Sequence, residues 1–159
     1  MTDAHEEKET LTVDVLIPAH ADRTTTPLFT HTRMKLLEVQ PRCYICGAKE
    51  HLEAHHYPIE RCMAEMIDWE KVKTDAQSGN LGATHVQRTN AQSFDFNGIE
   101  ANPYRFVDDM NVNGLVVCKT HHIGKDEGVH AMPHPLWIAQ KYGKEGYEFS
   151  NVEVLHFEQ

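Results

Sequence analysis

Cys43-Tyr-Ile-Cys46 and Cys118-Lys-Thr-His121 are two pairs of soft donors with the same two-residue gap, and 72 positions separate Cys46 from Cys118. Thiolates and imidazoles spaced this way turn inward around one tetrahedral zinc ion, so two such knuckles pin remote segments together. Gly47, directly after the first pair, relieves the backbone at the tight turn a knuckle needs. The doublet His55-His56 stands between the pairs and His122 follows the second, which leaves imidazoles over for chemistry where the knuckles converge. A redox dithiol is the competing reading of Cys43 and Cys46. Pro41 before them and a hairpin-like arm after them do not make the strand-to-helix junction where such a dithiol is expected. Cys62 lies outside both pairs and reads as a small core residue, or else as a spare ligand.

The elements that must position these residues follow from local pattern. Residues 1–11 are polar and read as a disordered tail, ahead of one domain over 12–157. Val13 to Ile17 is a β-branched run stopped by Pro18, a strand signal. Thr26-Pro27 predicts an N-cap and first helical residue, opening a helix through about Glu38 that Pro41 ends. His51 to Tyr57 suits a hairpin arm. Residues 59–77 look helical, with Met63, Met66, Ile67 and Val72 as the buried stripe. From Ser78 to Asn111 the pattern fades into an expected irregular segment with local aromatic packing. Asn113-Gly114 reads as a turn into the buried strand Leu115 to Cys118. A brief helix follows His122, limited by Gly124 and Gly128, then a helix over 135–143 and a closing strand over 147–157.

The chain of 159 residues and 18.2 kDa is 40% hydrophobic and 25% charged, which fits one globular domain. The N-terminal residues show no charged-then-apolar leader, so reduced thiols and a cytoplasmic location are expected, and no run is long and apolar enough for a membrane helix. The net charge of −9 opposes generic nucleic-acid binding. Residues 1–9 and 143–159 each contribute −3, which leaves −3 for the middle. A bound divalent cation would make the potential locally positive. Arg33, Lys35 and Arg42, beside the first knuckle, read as a solvated basic face or as phosphate contacts.

The segments CYICG, LEAHHYP, NGLVVC and KTHH resemble the zinc-stapled branch of the HNH endonucleases. The matching pieces cover about a third of the chain, in two blocks. The resemblance implies an α+β fold with a ββα-metal core stapled by structural zinc on Cys43, Cys46, Cys118 and His121, and a long insertion over 60–111 with flanking helices and strands. It implies His55 and His122 as ligands of a catalytic Mg2+ or Mn2+, His56 as general base and Asn113 as the loop asparagine. It also implies hydrolysis of DNA phosphodiester bonds, usually in duplex DNA, to 5′-phosphate and 3′-hydroxyl ends.

Residue chemistry is compatible with those roles. Neighbours on a strand face opposite ways, so His55 can turn to a metal while His56, as a neutral imidazole, takes a proton from water. Two features depart from the pattern. Asn113 lies 57 positions beyond His56, and histidine replaces the usual cysteine at 121, which makes the roles of His121 and His122 interchangeable. His130 and His134 follow closely, with His130 a fallback ligand. His5, His20 and His31 read as ordinary core or surface residues. The alternative function is an inactive zinc-stapled adaptor docking on another protein through its acidic surface. A protein partner that delivers or regulates a nuclease is also compatible.

Overall fold

The computed structural model describes residues 11–12, 24–125, 128–131, 141–145 and 156–157. The architecture is α+β, with two small antiparallel sheets among helices in the described residues. The first sheet pairs β1 (Leu11–Thr12) with β4 (His156–Phe157), so Leu11, assigned by sequence to the tail, is opposite Phe157. The strand expected over 13–17, the disorder expected over 1–10 and most of the closing strand lie outside the described residues.

Helix α1 (Pro27–Val39) opens as its sequence dictates: the Thr26 hydroxyl accepts the Phe29 N–H at 3.1 Å and Pro27 occupies the first turn. Leu36 from α1 packs with Met110 and Val116 on one face of the second sheet, β2 (Leu52–His56) against β3 (Gly114–Cys118). The register sets His55 opposite Leu115 and His56 opposite Gly114. Gly114 is required, since a Cβ there would meet the Met110 carbonyl oxygen at 2.3 Å and Leu36 Cδ2 at 2.7 Å.

The long segment between these strands differs from its sequence expectation. Residues 59–77 are not one helix. Arg61–Met66 is a 3-10 turn, Ile67 and Asp68 are extended, and α2 (Trp69–Gln77) starts afresh with Asp68 accepting the Glu70 and Lys71 N–H groups. The stripe is nevertheless buried, because Met63, Met66, Ile67 and Val72 are all fully enclosed. Residues 78–113 are not irregular. They form α3 (His85–Gln92), a turn at Ile99–Ala101, α4 (Tyr104–Val107) and α5 (Met110–Asn113). Short caps conceal them from pattern reading: Thr84 accepts the Gln87 N–H, and Asp109 accepts that of Asn111. Trp69, Phe94, Phe96 and Phe106 meet largely edge to face here, with Trp69 and Phe106 centroids 5.5 Å apart. Among the described residues, the largest apolar cluster is therefore built mainly by the segment between β2 and β3, with Tyr142 joining it.

Helix α6 (Lys119–Ile123) follows β3 directly and stops at Gly124. The helix expected over 135–143 is outside the described residues through 140. Lys141 and Tyr142 form a turn, and Gly143 bridges Ile67, fixed by the Asp68 N–H donating to the Tyr142 carbonyl at 2.6 Å. Among the described residues, no helix is long and apolar enough to cross a membrane.

Candidate metal centres

The first knuckle docks on the free edge of β3: the Tyr44 N–H donates to the Val116 carbonyl at 2.8 Å, and the Cys43 N–H to that of Ala48 at 2.8 Å. Gly47 takes a left-handed φ of +75° at the tight turn expected from the sequence. Cys118 closes β3, and His121 lies one helical turn further on α6, so both side chains share a face. Cys43, Cys46, Cys118 and His121 thus converge, with one donor atom from each within 4.8 Å of the others.

The distances suit one ion. Cys46 and Cys118 sulfurs are 3.9 Å apart, Cys43 Sγ is 3.9 Å from His121 Nδ1, and Cys118 Sγ is 3.2 Å from the same nitrogen. Zinc bonds of about 2.3 Å to sulfur and about 2.0 Å to nitrogen give tetrahedral edges of about 3.8 and 3.5 Å. Burial pushes the Cys43 thiol up, but the backbone N–H groups around it outweigh that and bring it down to about 6, toward the thiolate a metal requires. Cys62 is not in this group. It is half-buried against the main core, where burial pushes its thiol up.

A second cluster forms on the face of β2 that meets α6. His55, His122 and His130 bring one ring nitrogen each within 4.8 Å of one another. The structure thereby distinguishes the two adjacent histidines: His121 faces the thiols and His122 faces His55. His130 joins from a 3-10 turn, Val129–Ala131, with its Nε2 3.1 Å from His122 Nε2. Two nitrogens on a shared ion stand about 3.0–3.4 Å apart for bonds of about 2.1 Å.

A carboxylate holds the His122 ring from behind, and a second lies near His55. His122 Nδ1 lies 2.5 Å from Glu53 Oε2, so this nitrogen donates to the carboxylate and Nε2 keeps its lone pair toward the cluster. His55 Nε2 lies 3.2 Å from Glu60 Oε1, leaving Nδ1 buried with no hydrogen-bond partner. Burial, with the neighbouring His130, His122 and His56, lowers His55 to about 3 and keeps it neutral, the form that ligates. The sequence reading missed Glu53 and Glu60. Glu53 was findable, because position 53 shares the face of position 55 on a strand.

His56 lies on the opposite face. Its ring stacks on Phe29 at 5.5 Å between centroids and an interplanar angle of 22°, and it is 8% exposed. Its Nε2 is 3.7 Å from Asp108 Oδ1. Asp108, buried at 1% exposure, also accepts Arg61 Nε at 3.2 Å and the Thr26 hydroxyl at 3.1 Å. Asn113 is fully buried: Oδ1 accepts the Ile59 N–H at 3.0 Å, and Nδ2 donates to the Ile59 and Val107 carbonyls at 2.8 and 2.9 Å. Its own carbonyl accepts the Tyr57 N–H, so it ties the chain leaving β2 to the chain entering β3. Gln87 adds a second tie, donating to the Tyr57 and Val112 carbonyls. Neither Gln87 nor Asp108 carries a local sequence signal. Arg33, Lys35 and Arg42 are exposed.

No family model, curated protein or solved structure matches the chain.

Proposed function

We propose that the protein is a metal-dependent endonuclease of the HNH type, hydrolysing DNA phosphodiester bonds with His56 as general base and a ββα unit of β2, β3 and α6 as its core. The observation that carries this reading is the three-histidine cluster, backed by Glu53 and set one residue from the Cys3His group. The two clusters share α6 and the β2–β3 sheet, so a zinc staple would fix the second site's geometry. A divalent ion held by His55, His122 and His130 would stabilise charge on the departing 3′ oxygen.

His55 and His56 leave the end of β2 on opposite sides. An in-line displacement puts attacking and leaving oxygens on opposite sides of phosphorus, so a phosphodiester crossing the strand end would have a proton acceptor on one side and the imidazole cluster on the other. The all-nitrogen donor set favours zinc or another transition metal over Mg2+, which prefers oxygen donors. Manganese remains compatible. The body is also less acidic than the whole chain: residues 24–125 carry eleven Lys and Arg against twelve Asp and Glu. Arg33, Lys35 and Arg42 supply exposed phosphate contacts near the first knuckle.

The test is nicking of supercoiled plasmid by purified protein across a panel of divalent metals, with His55→Ala alongside. Nicking that EDTA stops, and that His55→Ala abolishes while zinc content holds at one ion per chain, supports the reading. Wild-type protein inert with every metal removes it. A second reading, an inactive zinc-stapled adaptor docking on a protein partner, is favoured by one observation: His56 is 8% exposed beneath Phe29.

A further inference from the structure

We propose that Asp108, contributed by the segment between the two strands, is a positioning residue for His56. It holds the ring in the tautomer protonated on Nε2, so that Nδ1 is the nitrogen available to accept a proton. The positioning role rests on the nuclease reading, whereas the tautomer assignment stands on geometry alone.

The ring of His56 has few options. Phe29 covers one of its faces, and Nε2 is buried with no hydrogen-bond partner of normal length. The Asp108 Oδ1 acceptor lies 3.7 Å from it, about half an ångström beyond an ordinary contact. A buried N–H beside a carboxylate gains from donating to it, while a buried lone pair aimed at the same carboxylate would be repelled, so the proton belongs on Nε2. The carboxylate is itself held. Arg61 Nε reaches Oδ1 and the Thr26 hydroxyl reaches Oδ2, while the Arg61 guanidinium stacks on Tyr104 at 4.6 Å. Burial raises the Asp108 carboxyl, but His56, Arg61 and Thr26 together bring it below the ordinary range, so it stays ionised. His56, Arg61 and Asp108, with Thr24, Thr25 and Phe29, line a cavity of about 30 Å³, room for roughly one water.

The arrangement has the logic of a base whose second nitrogen is fixed by a buried carboxylate. Its parts come from the N-cap of α1, the end of β2, the 3-10 turn and the end of α4, so the insertion would be part of the machinery.

The experiment reads the His56 ring by long-range 15N–1H NMR in the zinc-loaded full chain without substrate, for wild type, Asp108→Asn and Asp108→Ala. The expected wild-type spectrum has the proton on Nε2. Asp108→Asn, which keeps an acceptor, retains that form, and Asp108→Ala loses the preference. In plasmid nicking, Asp108→Ala lowers kcat by about a hundredfold, a base's minimum worth, with KM within twofold and zinc retained, and Asp108→Asn recovers part of the loss. A wild-type ring protonated on Nδ1, or a ring unchanged in Asp108→Ala, overturns the tautomer assignment. Wild type that nicks no plasmid with any metal overturns the nuclease reading and the positioning role, and leaves the tautomer to the spectrum. Unchanged kcat in Asp108→Ala overturns the positioning role alone.

Discussion

His121 and His122 are consecutive on α6 yet belong to different clusters: His121 Nδ1 lies 3.2 Å from Cys118 Sγ, and His122 Nδ1 lies 2.5 Å from Glu53 Oε2. Side chains one residue apart on a helix point about 100° apart, so a single turn can serve two ions. A five-residue helix has little stability of its own. Whatever holds His121 therefore also holds His122 in place.

Removing the staple should disable both centres. Cys118→Ser is expected to lose the tightly held zinc, to melt much earlier, and to lose affinity for a second ion, because a structural site contributes folding energy directly. His55→Ala is expected to lose only the second ion. Elemental analysis with thermal melts checks both, and an unchanged melt in Cys118→Ser would exclude a structural zinc there.

Glu53 holds His122 without joining the ligand set. Replacing it with Gln should weaken the second ion by about 10- to 100-fold, the usual worth of a carboxylate behind a ligating imidazole. Calorimetric titration of zinc-stapled protein with a second metal measures this. Equal affinity would mean that the Glu53 contact does not orient the ring.

Asn113→Ala removes a fully buried carboxamide and leaves the Ile59 N–H and two carbonyls without partners. The expected cost is about 2–4 kcal/mol, from desolvated groups left unmade. Urea unfolding is the measurement, and a change under about 0.5 kcal/mol, within the range of an ordinary surface substitution, would contradict the hydrogen-bond assignment.

Asp108 predicts a pH dependence with a definite sign. Its folded pKa is depressed by His56, Arg61 and Thr26, so its contribution is present above the unfolded value of about 3.9 and is lost as pH falls through the lower folded value. The stability gap between wild type and Asp108→Asn should hold at about pH 6 and shrink below about pH 4. A gap that does not change with pH would contradict the sign.

The knuckles, α1 and the separate strands β2 and β3 were legible in the sequence because their signals are local: fixed ligand gaps, a Thr-Pro cap and a β-branched run ending at Cys118. The pairing of β2 with β3 was implied only by the resemblance. The convergence of His55 with His122 was implied by the resemblance, and the fallback reading of His130 came from its place shortly after His122 beyond a short, glycine-punctuated helix. The segment between β2 and β3 was not legible. Its helices α3 to α5 are four to eight residues long and are held by Thr84, Asp109, Gln87 and Asn113 through contacts remote in sequence, with little periodicity to read. Asp108 is hidden for the same reason: nothing near it in sequence announces that Thr26, His56 and Arg61 will meet it.

The most direct test of the central claim is plasmid nicking by His56→Ala with both metal contents measured. The account predicts that the variant retains both ions and nicks about two to four decades more slowly than wild type, the range for a lost general base. Equal nicking by the variant, with both ions bound, would contradict it.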